Sequence, residues 1–371
     1  MKPASCLLAI FAAISPSLAA PLSLEALHDR VDFDPPTGGD VTILNYALTL
    51  EYLERKFWQD GLAKFNDESF LKAGFWKGFY EQLQEIYADE QDHVSFFSDF
   101  LGNAAIREPT FSFPYSSARD FVSLASVLEG VGVSAYLGAA GAIADRTYLG
   151  AASSILAVEA RHSSFLREAL HTPIAGKPYD TPLDFKAVYS LAAQFIAGFP
   201  DGGPALPFSA FPPLTAVPLN GTGPVIAGSS GLLFKGAHKN ALAVFQTHSI
   251  AVPVYATFFS GLDAYHIPVE VSGDDYKVDK IPGADYATPG QLGPVGQVYV
   301  VLSTANGTST AGDENIISGV AIVEVVAGTE QYANQQDTMD DCSASFTPSS
   351  TPQTETGLVI SYHKTVVTEA N

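Results

Sequence analysis

Two short segments with the same internal spacing decide the fold of this chain: LQEIYADEQDHVSFF at residues 83–97 and ILAVEARHSSFL at residues 155–166. In each segment, apolar residues recur at intervals of three and four, which predicts an amphipathic helix. Each segment also carries a glutamate three residues before a histidine, Glu90 with His93 and Glu159 with His162. Because three residues turn a helix by about 300°, the members of each pair lie on one face. That face is the apolar one, so both pairs are predicted to point inward. Its apolar residues are Leu83, Ile86, Phe97, Ile155, Phe165 and Leu166.

The same periodicity continues from about Asp40 to His171 and predicts four long helices. We expect Asp40 to be the N-cap of the first helix and Gly102 to stop the second. A shorter fifth helix is expected after Thr181, with Thr181 as its cap and an end near Phe199. Four consecutive long helices favour a bundle. The expected bounds are 40–65, 74–101, 117–144 and 147–170.

The two remaining long helices each carry a single candidate glutamate, Glu51 in the first and Glu129 in the third. Four carboxylates in an apolar interior would cost several kcal/mol each unless they were neutralised. Two divalent cations would balance the four charges. Oxygen and imidazole ligands suit iron or manganese, and the lack of nearby thiolates argues against a structural zinc site. The sequence therefore predicts two iron or manganese ions held by Glu51, Glu90, His93, Glu129, Glu159 and His162.

One ambiguity concerns the first helix, where Glu54 could replace Glu51 as the inward group. Asp89 and Asp92 flank the Glu90 pair and are expected to face solvent. Tyr87 and Tyr136 are candidates to border the site. The other histidines form no second cluster. Since there is no Gly-x-Ser-x-Gly elbow, phosphate-binding glycine loop or Cys/His zinc spacing, hydrolase and nucleotide-enzyme functions have little support.

The chain changes character after the helical part, which we place at residues 38–200. Between residues 200 and 224, 7 of 25 residues are proline, so residues 201–224 are predicted to be a linker. Short β-branched and aromatic runs follow in residues 225–326, and they predict a small antiparallel β-sandwich-like domain. Expected strands include 231–234, 241–245, 250–259, 267–271, 297–302 and 316–326. Residues 327–371 are rich in Ser and Thr and are predicted to be a largely disordered tail.

Charge and the N-terminal residues bear on partners and location. The net charge of −21 disfavours nucleic-acid binding, which depends on Lys and Arg.

A signal peptide is predicted at residues 1–19 from Lys2, the apolar run after it and Ser17-Leu18-Ala19. No later stretch is apolar for about 18 residues, so no membrane span is predicted. We therefore expect secretion, with N-glycans at Asn220 and Asn306. Cys342 would then be a free thiol or an intermolecular crosslink.

These features resemble a known group of proteins. DVTILNYALTLEYLE at residues 40–54, together with the two Glu-x-x-His segments, resembles the ferritin-like domain of fungal stress-response and late sexual development proteins, which are related to plant desiccation-related proteins. The resemblance covers about residues 38–200. It implies a multidomain α plus β protein, with a ferritin-like four-helix bundle and a short fifth helix before the β domain. It also implies that the six residues named above bind two metals.

The sequence leaves two functions open. One is a secreted redox metalloprotein that reacts iron or manganese with oxygen or peroxide, as an oxidase or a manganese-catalase-like enzyme. The other is a non-catalytic extracellular or cell-wall-associated protein of desiccation protection or development, in which the bundle is only a scaffold. The two differ in whether the six groups converge.

Overall fold

The computed structural model describes residues 34–221, 223–245, 252–286, 290–305 and 314–328. The predicted signal peptide, Asn306, Cys342 and all but the first two residues of the predicted tail lie outside these ranges.

Seven α-helices are present in the described residues, and four of them are long. The long helices are α1 (Asp40–Lys64), α3 (Phe79–Leu101), α4 (Ala118–Ala139) and α5 (Arg146–Ala169). The short ones are α2 (Asp67–Lys72), α6 (Phe185–Ala192) and α7 (Ala237–Val244). Helix α1 packs on α3, α4 packs on α5, and α1 also packs on α4. The four long helices predicted from the apolar periodicity are thereby confirmed.

The helix boundaries differ from expectation in five places. Helix α4 ends at Ala139 rather than at residue 144, because the chain tightens into a 3-10 turn at Ala140–Ala142. Gly39, not Asp40, is the N-cap of α1, because the Asp40 carboxylate instead accepts the N–H groups of Ala144 and Asp145. The second long helix begins at Phe79 rather than Gly74, since Gly74 and Gly78 both adopt positive φ angles, of 94° and 92°, that interrupt a helix.

The short helix α6 also begins later than predicted. Asp184, not Thr181, caps it by accepting the N–H of Ala187 at 2.7 Å. The Thr181 hydroxyl accepts the N–H of Gly261 instead. The helix stops at Ala192 rather than near Phe199, because the chain leaves it to form the short strand β2 at Ile196–Gly198.

The strands form three sheets. A two-stranded sheet pairs β1 (Thr110–Phe111) with β2. The remaining strands are β3 (Thr215–Pro218), β4 (Val225–Ile226), β5 (Leu232–Lys235), β6 (Tyr255–Ser260), β7 (Asp263–Pro268), β8 (Glu270–Ser272), β9 (Asp275–Val278), β10 (Gly296–Ser303) and β11 (Ala321–Val326). A five-stranded sheet has the order β4-β11-β10-β6-β7, and a four-stranded sheet has the order β3-β5-β9-β8. Pairing is antiparallel except between β4 and β11.

One strand prediction in this sheet-rich part was wrong. Residues 241–245 were expected to be a strand, but they fall mostly in helix α7. Residues 201–224 were predicted to be a linker that cannot form a helix or an interior strand, and they contain the edge strand β3. That strand ends in Pro218 and lies at the edge of its sheet, where a missing N–H donor is tolerated.

The five-stranded sheet lies between the helices and the four-stranded sheet. Phe259, Tyr299 and Val301 share a buried apolar cluster with the helices. Their neighbours Phe258, Val298 and Val300 face the other way, into a cluster shared with the four-stranded sheet. Because adjacent strand residues point to opposite faces, one sheet serves both cores. The helical part and the sheet-rich part therefore share buried side chains.

One segment of the described chain, Ala118–Ala142, is long and apolar enough to cross a membrane on those two criteria alone. Most of it is buried inside the protein. Its apolar character is explained by its place between the other helices and the sheet, so it is no clear membrane span.

Candidate metal centre

The six predicted ligand residues converge in the interior of the four-helix bundle. The four glutamates Glu51, Glu90, Glu129 and Glu159 are each 0% exposed. His93 and His162 are 9% and 6% exposed, so the cluster comes closest to solvent at its imidazoles. Each long helix contributes its ligand residues from near its middle. They lie on the apolar face, which the three- and four-residue periodicity turns inward.

Each histidine faces carboxylates from its own helix and from other helices. His93 Nδ1 lies 3.1 Å from Glu90 Oε2, 3.2 Å from Glu51 Oε2 and 3.5 Å from Glu159 Oε1. His162 Nδ1 lies 3.1 Å from both Glu90 Oε1 and Glu129 Oε2. Glu90 is thus shared by the two histidines, one on each carboxylate oxygen.

These contacts define two overlapping groups of potential ligands in the described part of the chain. One contains Glu51, Glu90, His93 and Glu159, and the other contains Glu90, Glu129, Glu159 and His162. In each group the ligand atoms lie within 4.8 Å of one another. Glu90 and Glu159 belong to both groups. The two groups of potential ligands therefore overlap at Glu90 and Glu159, and each group could hold a metal ion.

Three side chains outside the predicted set hold the cluster in place. Trp58 Nε1 donates to Glu129 Oε1 at 2.8 Å, and the Tyr136 hydroxyl donates to Glu51 Oε1. Asp89 Oδ2 lies 3.1 Å from His162 Nε2, which leaves Nδ1 of that ring directed at the carboxylates. Partners of this kind fix the orientation of metal ligands in proteins.

A fifth glutamate, Glu54, is also buried, at 4% exposure. The sequence posed Glu51 and Glu54 as alternatives, but both point inward. Only Glu51 joins a group of potential ligands. Glu54 lies at the edge of the cluster, where a Cβ atom added to Gly132 would be 3.0 Å from both Glu54 Oε1 and Glu159 Oε2.

Several buried carboxylate oxygens have no hydrogen-bond donor of their own among the described residues. Glu54 Oε2 and both oxygens of Glu159 have no hydrogen-bond partner, and Glu51 Oε2 and Glu90 Oε1 meet only a histidine Nδ1 that also bonds another carboxylate oxygen. Buried polar atoms are rarely left without a partner, and each such atom requires an explanation. Four of these five oxygens belong to glutamates of the two overlapping groups of potential ligands. Cations held by those groups would satisfy them, so the donor set fits the predicted metals.

The protein's own charges hold protons in the cluster. Burial alone would lower the pKa of His93, but hydrogen bonds to Glu51 and Glu90 raise it to about 10. Burial would likewise lower the pKa of His162, but the Glu129 and Glu90 carboxylates raise it to about 11. Burial raises the pKa of Glu54 and Glu159 well above the usual range, and neighbouring glutamates add to the effect. At neutral pH the imidazoles are therefore cationic and these two carboxyls neutral.

The spacing predicted six of these groups but missed others. Asp92 is exposed as expected, whereas Asp89 contacts His162 although half of its side chain is exposed. Tyr136 does border the cluster. A signal for Trp58 was present: residues 51, 54 and 58 follow the three- and four-residue spacing of one helix face. Asp89 gave no such signal, because its contact is made with another helix.

Two comparisons with known proteins bear on this site. Residues 39–172 match the family model of the ferritin-like domain. Protein rds1 of Schizosaccharomyces pombe (strain 972 / ATCC 24843) is 22% identical over 284 residues, which cover 68% of this chain and 71% of that protein. The matched length exceeds that of the helical segment, so the likeness extends into the sheet-rich part. Both findings confirm the resemblance inferred from the sequence.

Proposed function

Because residues 39–172 form a ferritin-like domain around seven buried acidic and imidazole groups, we propose that the protein is a di-metal oxidoreductase. The observation that carries the proposal is the set of five buried carboxylate oxygens without a hydrogen-bond donor of their own among the described residues. A scaffold has no need of such groups, which cost free energy unless a bound cation uses them.

The charges favour two divalent ions. Once a bound cation displaces the proton that Glu159 holds in the metal-free protein, Glu51, Glu90, Glu129 and Glu159 together supply four negative charges, which two divalent ions would balance. Glu54 is left out of this balance because it belongs to neither group of potential ligands. Carboxylate oxygens and imidazole nitrogens without thiolates suit iron or manganese.

The proposed chemistry divides between the ions and the chain. When bound, two such ions would supply two electrons, which with two protons reduce dioxygen to hydrogen peroxide or hydrogen peroxide to two waters. Trp58 and Tyr136 hold the carboxylates of Glu129 and Glu51 by donating to one oxygen of each. Asp89 holds the ring of His162, and the apolar side chains around the cluster keep bulk water away.

Metal content tests this proposal directly. We expect about two iron or manganese ions per purified chain by elemental analysis. Replacing Glu90 and His93 together by glutamine should abolish them, since Glu90 is shared by both groups. Asp92→Asn is the matched control, because Asp92 lies between these two residues but is exposed. An intact, folded wild-type protein that takes up neither metal would overturn the proposal.

We also propose that the protein acts outside the cell. The support is the sequence pattern of residues 1–19 and the exposed position of Asn220 in a turn. N-terminal sequencing of protein from the culture medium should then begin at Ala20, and a glycosidase should reduce its mass. Recovery of the whole chain from cells alone would contradict this location.

A further inference from the structure

An apolar cavity lies between the helices and the five-stranded sheet. Its volume is about 40 Å³. Helices α1, α4 and α6 form one side of it, and residues 320–322 with Leu214 form the other. Glu54 is the only charged residue in its lining. Val127, Gln194 and Ile322 are its partly exposed lining residues, so the outer mouth lies near them.

The inner end of this cavity reaches the glutamate cluster. Glu54 and Gly132 both line it. A Cβ atom on Gly132 would lie 3.0 Å from Glu54 Oε1 and from Glu159 Oε2. Glu159 itself does not line the cavity, but its Oε2 atom lies beside Gly132 and has no hydrogen-bond partner within the described chain. The cavity therefore ends at Glu54 and Gly132, next to unsatisfied oxygens of the cluster.

Size and lining limit what the cavity can hold. A water molecule needs about 10–15 Å³ and two to four polar partners. The volume here admits a molecule of two or three heavy atoms, but apart from Glu54 and Gln194 the lining offers apolar side chains. Dioxygen has two heavy atoms and needs no hydrogen bonds. Hydrogen peroxide is of similar size but would leave donors and acceptors unpaired along most of this passage.

We propose that this cavity is the passage by which dioxygen reaches the cluster, so that dioxygen rather than hydrogen peroxide is the oxidant of the site. The inference rests on the proposed function and narrows it to an oxidase. It also assigns a role to the sheet-rich part of the chain. Leu214, Val320, Ala321 and Ile322 form a wall that a helical bundle alone would lack, and this wall keeps the passage dry.

Substitutions that fill the cavity at positions away from the ligand residues test the passage without changing the metal site. Ala192→Leu fills it from α6 and Ala321→Leu fills it from β11, so that one variant serves if the other does not fold. Ala187→Leu is the matched control, because Ala187 lies in the same helix, is equally buried and is outside the cavity lining. It reproduces the strain of an added side chain without blocking the passage.

Xenon is a probe of the cavity that does not depend on metal. In xenon-pressurised crystals we expect one xenon atom beside Val131 and Ala192 in the wild-type protein and in Ala187→Leu. Neither filling variant should bind it. Absence of xenon from the wild-type cavity would overturn the passage.

Rapid mixing of iron(II)-loaded protein tests the oxidant. With dioxygen, the rate constant of oxidation should fall at least tenfold in the filling variants and stay unchanged in Ala187→Leu. With anaerobic hydrogen peroxide the same variants should react at the wild-type rate. If the variants slow both oxidants equally, or neither, the inference fails while the metal site stands. If the wild-type protein binds no iron or manganese, the proposed function fails and the oxidant assignment fails with it.

Discussion

At the scale of single residues, the protons held by the cluster make stability depend on pH. In the metal-free protein the pKa of His93 is about 10 and that of His162 about 11, against 6.5 in model compounds. The pKa of Glu54 and Glu159 is also raised, by burial and then by their acidic neighbours. The folded state therefore binds more protons than the unfolded state above pH 6.5, and rising pH must destabilise it.

We expect the free energy of unfolding of the metal-free protein to fall between pH 6.5 and 9. The slope is about 1.4 kcal/mol per pH unit for each whole proton by which the two states differ. Urea unfolding with a chelator present measures it. Metal binding displaces these protons, so saturating metal should remove or reverse the slope. A stability of the metal-free protein that rises over this range would contradict the charge state inferred for the cluster.

The hydrogen bond from Trp58 to Glu129 is testable by a substitution that keeps an aromatic ring. Trp58→Phe removes the donor and leaves Glu129 Oε1, which is fully buried, without it. Metal affinity should fall by about tenfold, as is usual when a partner of a ligand is removed. The metal-free protein should lose about 1–3 kcal/mol of unfolding free energy. Metal titration and urea unfolding measure the two effects.

Tyr46→Phe provides the control for this substitution. Tyr46 is buried, but its hydroxyl has no hydrogen-bond partner among the described residues. Removing that hydroxyl should therefore leave stability unchanged or raise it. Equal losses in the two variants would show that the Trp58 donor has no special role.

At the scale of secondary-structure elements, helix α4 is held close to the chain that leads into α6. The Leu183 N–H donates to Ser134 O at 3.1 Å. A Cβ atom on Gly138 would lie only 1.8 Å from Leu183 O, which is a backbone atom that cannot swing away. Close contact of these two segments therefore requires glycine at this position.

Gly138→Ala should destabilise the protein by about 1–3 kcal/mol, because the backbone of Leu183 must move. Gly150→Ala is the matched control in helix α5, where no atom lies within 4 Å of the added Cβ. There alanine should stabilise the helix by about 0.5–1 kcal/mol. Chemical denaturation of the two variants should thus give shifts of opposite sign. Shifts of the same sign would contradict the close packing of α4 at Gly138.

The elements that the sequence predicted well are those with a long internal pattern. Each long helix repeats its apolar spacing over five or more turns, so periodicity alone identifies it. Strand β9 at Asp275–Val278 was missed because only Tyr276 and Val278 face inward, and its structure depends on pairing with β5. Residues 241–245 were wrongly predicted to be a strand because a segment of five residues has too few periods to distinguish a helix from a strand.

The candidate site was predictable to the same extent as the helices that carry it. Spacing placed Glu90 with His93 and Glu159 with His162, and burial followed from the apolar face. Spacing could not decide between Glu51 and Glu54, since residues three apart lie only about 60° from each other around a helix. Both glutamates turned out to be buried. Gly132 and Asp89 belong to contacts between elements, which no local pattern encodes.

At the scale of the whole molecule, the helices and the sheets are joined by a buried ion pair. The Arg167 guanidinium in α5 makes two bonds to Glu324 in β11, at 3.0 and 2.7 Å. Arg167 is 6% exposed, so its charge depends on this partner. Nearby, Gln297 donates to Val127 O and the Tyr299 hydroxyl donates to Gly130 O. With the shared apolar cluster, these contacts make the two parts one folding unit.

Glu324→Gln should therefore destabilise the helical part although Glu324 lies in a strand. Both tryptophans of the chain, Trp58 and Trp76, lie in the helical part, so tryptophan fluorescence reports its unfolding. The fluorescence midpoint in urea should shift by the equivalent of about 1–3 kcal/mol, because the variant leaves a buried guanidinium without its anion. The far-UV dichroism of the sheets should move to the same midpoint, since the shared core couples the two parts.

Glu270→Gln is the control: Glu270 pairs with Lys277 on an exposed strand, and such pairs contribute at most about 1 kcal/mol. A fluorescence midpoint that stays fixed while the sheet signal shifts would show that the helices unfold independently of the sheets.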